Sequence, residues 1–226
     1  GISDSQDMQA TLDCLAALGA QWQKDGETVT ITGIGSARTA VHDDAGATGT
    51  QTGEPVLRCR ESGSTLRFFI PICLQTGRRT QMVGAPRLME RPLQVYAQLC
   101  RERGLLFAQE GQALTVQGPL PAGSYRLRGD ISSQFISGLL FAAPLMESES
   151  SIEVLAPYES RSYVDMTVDA LHQFRVKVTS RARKNGSVMY RVAAPQRYTA
   201  SDFAVEGDYS QAAFLAVLGC VIGGIT

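Results

Sequence analysis

Three short stretches place glycine, serine and an acid or amide immediately ahead of an apolar run: Arg60-Glu61-Ser62-Gly63-Ser64, Gly129-Asp130-Ile131-Ser132-Ser133-Gln134 and Gly207-Asp208-Tyr209-Ser210-Gln211. At a helix start such residues leave backbone N–H groups and hydroxyls unengaged, and with the helix dipole these hold an oxyanion without any basic surface. Serine is also the usual N-cap and Gly63 suits a tight turn, so each stretch read alone is more often a capping signal. Ser132-Ser133-Gln134 goes further, since two hydroxyls and an amide stand where a cap uses one hydroxyl. Arg87 and Arg91 lie in the link 84–92, stiffened by Pro86 and Pro92. Arginine is suited to bidentate carboxylate or phosphate recognition, though on spacing alone a loop arginine is more often a solvated side chain. At the next equivalent loop Ser160-Arg161-Ser162-Tyr163 adds a cation, two hydroxyls and a phenol, which again read either as a cap or as contacts. The chemistry on offer is the binding of oxyanions such as carboxylate or phosphate.

Those anions must be met locally. In 226 residues, 21 Lys and Arg stand against 22 Asp and Glu, for a net charge of -1. No field therefore exists to hold nucleic acid or an anionic membrane by bulk charge. With 44% hydrophobic and 19% charged residues the chain reads as one or two globular domains with a substantial core. The most apolar stretch, 212–225, is broken by Gly219, Gly223 and Gly224 and is shorter than the roughly 20 residues of a membrane span. A basic-then-apolar leader profile is absent at the start. Cys14, Cys59, Cys73, Cys100 and Cys220 form no CxxC pair and lie mostly in apolar helix-like text, which suits reduced core thiols in a cytoplasmic protein. His42 and His172 make no metal set, and no metal site is expected.

The elements that must position these groups are repeated along the chain. Residues 15–32 read as helix, glycine stop, strand, two-residue turn at Asp25-Gly26 and strand. The same pattern recurs over 99–117 with its turn at Glu110-Gly111, and over 171–192 with its turn at Asn185-Gly186. Each hairpin is followed by a short strand (56–59, 124–127, 202–205), one of the glycine–serine stretches and an apolar helix. Leu66, Phe69, Ile70, Cys73 and Leu74 recur at helical spacing, as do Phe135, Leu139, Leu140 and Ala143, and Phe214, Leu215, Leu218 and Ile222. Pro71 is expected to kink the first of these helices. A further strand (80–83, 151–155) and helix (93–103 behind Pro92, 163–174 behind Ser162-x-x-Asp165) complete each unit.

The unit is α-β-α-β-β-β, and the fold class is α/β (α+β) built from repeated βαβαββ units. The first copy begins midway, with Ser3-x-x-Gln6 capping its helix, and the last stops after its first helix, so a piece of a longer protein is expected. Segment 36–53, rich in Ala, Thr, Gly and Asp, reads as a solvated loop. The helix at 210–222 carries the unit-opening pattern and is a candidate to fill the slot of the first copy's missing helix.

Five motifs in order, Cys59-Arg60-Glu61-Ser62-Gly63-Ser64-Thr65-Leu66-Arg67, Pro86-Arg87-Leu88-Met89-Glu90-Arg91-Pro92, Gly129-Asp130-Ile131-Ser132-Ser133-Gln134-Phe135, Ser160-Arg161-Ser162-Tyr163-Val164-Asp165-Met166-Thr167 and Val205-Glu206-Gly207-Asp208-Tyr209-Ser210, resemble those of the 5-enolpyruvylshikimate-3-phosphate synthases across nearly the whole chain. The resemblance implies the enolpyruvyl transferase fold, an inside-out α/β barrel of two similar domains closing on shikimate 3-phosphate and phosphoenolpyruvate. Residues 1–207 would be the N-terminal domain with its first repeat incomplete, and 208–226 the start of the C-terminal domain. The implied reaction transfers the enolpyruvyl group of phosphoenolpyruvate to the 5-hydroxyl of shikimate 3-phosphate and releases phosphate. It belongs to the shikimate pathway of aromatic amino acid and chorismate biosynthesis and needs no cofactor.

By motif, Ser132, Ser133, Gln134, Ser160 and Tyr163 would bind shikimate 3-phosphate, and Gly63, Arg91 and Gln134 phosphoenolpyruvate, in the pocket that the herbicide glyphosate also occupies. The family's early Lys-Ser motif and the acid, lysine and arginine residues of its C-terminal domain have no counterpart here. No catalytic residue is therefore assigned, and the chain by itself is expected to be inactive. Glu61 stands where many members have Asn, so that contact is not transferred. The UDP-N-acetylglucosamine enolpyruvyl transferases, the nearest alternative, would carry a reactive cysteine in the loop that reads 84–92 here without one. A non-catalytic phosphate-ligand module is the alternative of another class.

Overall fold

The computed structural model describes residues 4–34, 53–205, 207 and 209–223. Chain order is α1 (Gln6–Ala17), β1 (Gln21–Asp25), β2 (Thr28–Thr32), β3 (Val56–Arg60), α2 (Gly63–Gln75), β4 (Thr80–Gly84), α3 (Pro86–Met89), α4 (Gln94–Glu102), β5 (Leu106–Glu110), β6 (Ala113–Gln117), β7 (Ser124–Arg128), α5 (Ser133–Ala142), β8 (Ser150–Leu155), α6 (Arg161–Gln173), β9 (Val178–Ala182), β10 (Val188–Val192) and α7 (Tyr209–Ile222). A short 3₁₀ turn, Ala143–Leu145, follows α5. Two four-stranded sheets share one topology, β3-β4-β6-β5 and β7-β8-β10-β9. In each the first pair is parallel and the rest antiparallel. Each sheet is thus one βαβαββ unit, as the repeats predict. Helix α1 and the β1-β2 hairpin form the closing half of another.

Strand alternation puts one face of each sheet inward. Tyr125 and Leu127 of β7 are buried while Ser124, Arg126 and Arg128 are exposed, and β3 buries Leu57 and Cys59 in the same way. The helices divide into two kinds. Helices α4 and α6 bury a single stripe (Tyr96, Leu99 and Cys100; Val164, Thr167 and Leu171), whereas α2 and α5 are buried almost all round. Burial on all sides marks a helix at the centre of its domain.

Helix α2 runs through Pro71 to Gln75. Proline lacks the N–H that would bond the Arg67 carbonyl. The phenol of Tyr96 takes its place, 3.0 Å from Arg67 O and 3.0 Å from the Phe135 carbonyl of α5. Helix α5 comes this close because Gly138 has no side chain: a Cβ there would stand 2.5 Å from the Tyr96 hydroxyl and 2.7 Å from Arg67 O. Residues 67 and 71 thus face residues 134–138, so α2 and α5 run side by side with their N-termini together.

Several sequence expectations are corrected. Residues 202–205 are not a strand. The equivalent strands β3 and β7 exist by pairing in parallel with the strand that follows their helix, and among the described residues no strand follows α7. Helix α7 does not fill the slot beside α1, for its apolar side chains Phe214, Val217, Val221 and Ile222 are exposed. The link 84–92 contains the one-turn helix α3. Helix α6 starts at Arg161, before Ser162, so Ser162 and Asp165 do not cap it; Asp165 pairs instead with Arg161 at 3.5 Å. Ser5 caps α1 by accepting from Met8 N, while Ser3 lies outside the described residues.

In the first two hairpins the turn shifts by one residue, to Gly26-Glu27 and Gly111-Gln112, because Asp25 pairs with Thr28 and Glu110 with Ala113. Of segment 36–53, only Gly53 is among the described residues, so its reading as a loop and His42 lie outside them. Cys14, Cys59, Cys73 and Cys100 are buried free thiols and Cys220 is exposed. Among the described residues no helix is long and apolar enough to cross a membrane.

Candidate functional site

Helix α2 begins against a turn whose backbone is locked from two sides. Ser62 accepts from Thr65 N at 3.3 Å and from the Thr65 hydroxyl at 2.8 Å, which caps the helix and leaves the N–H groups of Gly63 and Ser64 without an acceptor among the described residues. Arg60, at φ +52, offers its carbonyl to Ala85 N at 2.7 Å. This bond ties the turn before α2 to the turn before α3, which delivers Arg91. The other complete unit repeats the stitch: Glu159 N donates to Gly129 O at 3.2 Å and so joins the turns before α5 and α6.

Gly63 is the close-approach point. A Cβ there would lie 2.8 Å from Arg91 Nη1 and 3.0 Å from Arg67 Nη1, so two guanidinium groups converge on this residue. Arg67 Nη1 also donates to Gln134 Oε1 at 2.8 Å, across the α2–α5 contact. Its guanidinium carbon sits 5.1 Å from the Phe135 ring centroid, in cation–π range. Among the described residues no carboxylate lies within ion-pair distance of Arg67 or Arg91, and Arg67 Nε is buried without a hydrogen-bond partner. Burial, and then the charge of Arg91, lower the affinity of the Arg67 guanidinium for its proton. Two uncompensated cations and the open end of a helix make a place that favours an anion.

The structure therefore brings Gly63, Arg91 and Gln134 together, and the group that joins them, Arg67, was given no role by its sequence motif. The available signal was a charge inside the apolar run 66–74, four residues after Gly63 and so on the same helix face. Ser132 caps α5 by accepting from Gln134 N at 3.4 Å and is exposed. Ser133, half-buried, opens the helix. Ser160 occupies the N-cap position of α6 without capping it, and Tyr163 is 58% exposed in the first turn. The hydroxyls of Ser133, Ser160 and Tyr163 have no protein partner among the described residues. Helix α6 meets α5 through Ser137 and Thr167, whose hydroxyls are 2.7 Å apart, and Thr167 donates onward to Tyr163 O at 3.0 Å. Arg87 is exposed on α3, and Arg161 is engaged with Asp165. For Ser210 and Gln211 no side-chain placement is described. Among the described residues no cluster of three His, Cys, Asp or Glu side chains could hold a metal.

Comparison with known proteins identifies the family. The family model for EPSP synthase (3-phosphoshikimate 1-carboxyvinyltransferase) matches residues 1–226. The 3-phosphoshikimate 1-carboxyvinyltransferase of Clostridium kluyveri is 37% identical over 227 residues, covering 100% of this chain and 49% of the relative. That of Clostridium botulinum is 37% identical over 219 residues, covering 96% and 48%. The chain spans about half the length of the curated relatives it matches. The solved EPSP synthase of Acinetobacter baumannii superposes with a TM-score of 0.71 at 23% identity, over 96% of this chain and 45% of that one, which shows a shared fold. Repeated βαβαββ units, centrally buried helices and a family match over every residue lead to one assignment: the chain belongs to the EPSP synthase family.

Proposed function

We propose that this chain is the N-terminal half-site of an enzyme that transfers the enolpyruvyl group of phosphoenolpyruvate to the 5-hydroxyl of shikimate 3-phosphate and releases phosphate, as in the shikimate pathway. Residues 1–207 make up the N-terminal domain, and 208–226, with α7, open the second. The observation that carries this reading is the convergence of Arg67 and Arg91 on Gly63, beside Gln134 and without a carboxylate.

In it Gly63, Arg91 and Gln134 receive phosphoenolpyruvate. Ser132, Ser133, Gln134, Ser160 and Tyr163 receive shikimate 3-phosphate, whose phosphate and hydroxyls need the donors that Ser133, Ser160 and Tyr163 leave unused. Bringing two anions into one site requires fixed cations and N–H dipoles. The reaction adds the 5-hydroxyl to the central carbon of phosphoenolpyruvate while its methylene carbon gains a proton, after which phosphate leaves. The groups that move protons lie mainly outside this chain, so this chain binds without turning over.

Calorimetric titration of the chain with shikimate 3-phosphate tests the reading. Measurable binding that Ser133→Ala and Ser160→Ala weaken is expected, and no binding at millimolar ligand overturns it. In a protein carrying both halves, Arg91→Ala should lower phosphoenolpyruvate affinity or rate at least about tenfold, since a charged hydrogen bond contributes roughly 1.5–3 kcal/mol. Unchanged kinetics would contradict the assignment.

A further inference from the structure

We propose that Arg67 is a positioning residue of the anion subsite: it grips the carbonyl end of the Gln134 side chain, so that the amide NH₂ of Gln134 turns toward the bound anion, and it sets its guanidinium beside that of Arg91. This rests on the reading of Gly63, Arg91 and Gln134 as the phosphoenolpyruvate subsite and extends it to a residue in the body of α2.

Arginine carries donors only, so the Gln134 atom 2.8 Å from Arg67 Nη1 is the carbonyl oxygen. Oxygen and nitrogen occupy opposite corners of the same planar group, so holding one directs the other. Without that hold the amide would sample both orientations, and half of them would present an acceptor oxygen to an anion. Arg67 is itself held from the core side. The residue is 9% exposed, its guanidinium lies over Phe135, and its backbone carbonyl is bonded by Tyr96. The orientation of Gln134 is therefore set by the packing of α2 on α5.

The cost of this arrangement points the same way. A buried guanidinium with no carboxylate and an unbonded Nε is unfavourable by itself, and the nearby Arg91 charge adds repulsion. An arginine kept only for packing would sit more stably as a methionine. One kept beside a second cation and an open helix end is completed by a ligand's charge.

The test uses the chain with its glutamine side chains ¹⁵N-labelled; the Gln134 NH₂ resonances are identified by their loss in Gln134→Leu. Inorganic phosphate and phosphoenolpyruvate are the probes. In the unsubstituted chain the Gln134 pair is expected away from free-glutamine positions and to move on addition of phosphate. In Arg67→Met, which keeps the buried stem, and in Arg67→Lys, which keeps the charge but not the planar fork, the pair should return toward free-glutamine positions. Phosphoenolpyruvate affinity should fall at least about tenfold in Arg67→Met. Because Arg67 acts partly through Gln134, Arg67→Lys should cost at least about threefold less in a Gln134→Leu background than in the unsubstituted chain. Unchanged Gln134 resonances in Arg67→Lys while phosphate still binds, or additive losses, would overturn the inference alone. Absence of any phosphate or phosphoenolpyruvate effect on the unsubstituted chain would overturn the subsite reading and the ligand half of the inference. The resonance shift without ligand would then still decide whether Arg67 orients Gln134.

Discussion

Replacing Tyr96 by phenylalanine removes one oxygen from a fully buried position and leaves the Arg67 carbonyl with no donor, since residue 71 is proline. Burial pushes the Tyr96 phenol well above its ordinary range, so the hydroxyl is a neutral donor at any working pH. A buried carbonyl that loses its partner costs about 1–3 kcal/mol. With about 2 kcal/mol and a urea slope of about 2 kcal/mol/M, the unfolding midpoint should fall by about 1 M at unchanged slope. The companion variant Pro71→Ala isolates the cause. The alanine introduced there has an N–H that can bond Arg67 O along the helix, so Tyr96→Phe should cost at least about 1 kcal/mol less in that background. Urea unfolding of the four chains of this cycle is the assay. Equal losses in both backgrounds, or a loss below about 0.5 kcal/mol for Tyr96→Phe alone, would refute the claim that the phenol substitutes for the missing amide.

Arg175 follows α6 at φ +62, where the matching residues after α1 and α4 are Gly19 and Gly104, and all three sites share the same backbone bond (Val176 N to Leu171 O, Ala20 N to Leu15 O, Leu105 N to Cys100 O). Arg175→Gly relieves about 1–2 kcal/mol of left-handed strain against about 0.5–1 kcal/mol of added chain entropy, so thermal unfolding should show a net gain of about 0.5–1 kcal/mol. Gly63→Ala should lower the melting temperature slightly, because the Arg91 Nη1 met at 2.8 Å ends an exposed side chain that can swing aside, whereas the Arg67 Nη1 met at 3.0 Å is held by Gln134 and Phe135 and must shift. Displacing both should weaken phosphoenolpyruvate binding about tenfold by calorimetry, and equal affinity would contradict the site. A chromogenic disulfide reagent at pH 8 should titrate Cys220 alone in the native chain and all five cysteines after unfolding. The four others are buried, and burial pushes the Cys100 thiol up to about 11, which leaves about one part in a thousand as reactive thiolate. A second fast native thiol would argue against this packing.

Local pattern carried much of the architecture. The three-and-four spacing of Leu66, Phe69, Ile70, Cys73 and Leu74 specifies α2, and that of Phe135, Leu139 and Leu140 specifies α5, because burial of one face imposes that period. The hairpins after α1, α4 and α6 were legible for a like reason, since a turn pair, and after α1 and α4 a glycine stop, are conditions on neighbouring residues. Local pattern failed where a partner from elsewhere was needed. Residues 202–205 resemble β3 and β7 in text, yet a strand exists only with a neighbour to pair with. Helix α7 has the sequence of a central helix and exposes Phe214 and Val221, because no sheet among the described residues covers it.

The site divides along the same line. That Gly63, Ser132 and Ser133 stand at helix starts, and that Arg91 follows a proline-stiffened turn, was determined by the sequence itself, since capping and turn chemistry act over three or four residues. That Arg67 joins Gly63 to Gln134 was decided only by the tertiary structure. The contact spans 67 positions and exists because Gly138 lets α5 approach α2 at Pro71, with Tyr96 bonding the carbonyl that the proline leaves open. Spacing along a chain records which face of an element is buried, but which two buried faces meet depends on shape complementarity across the core.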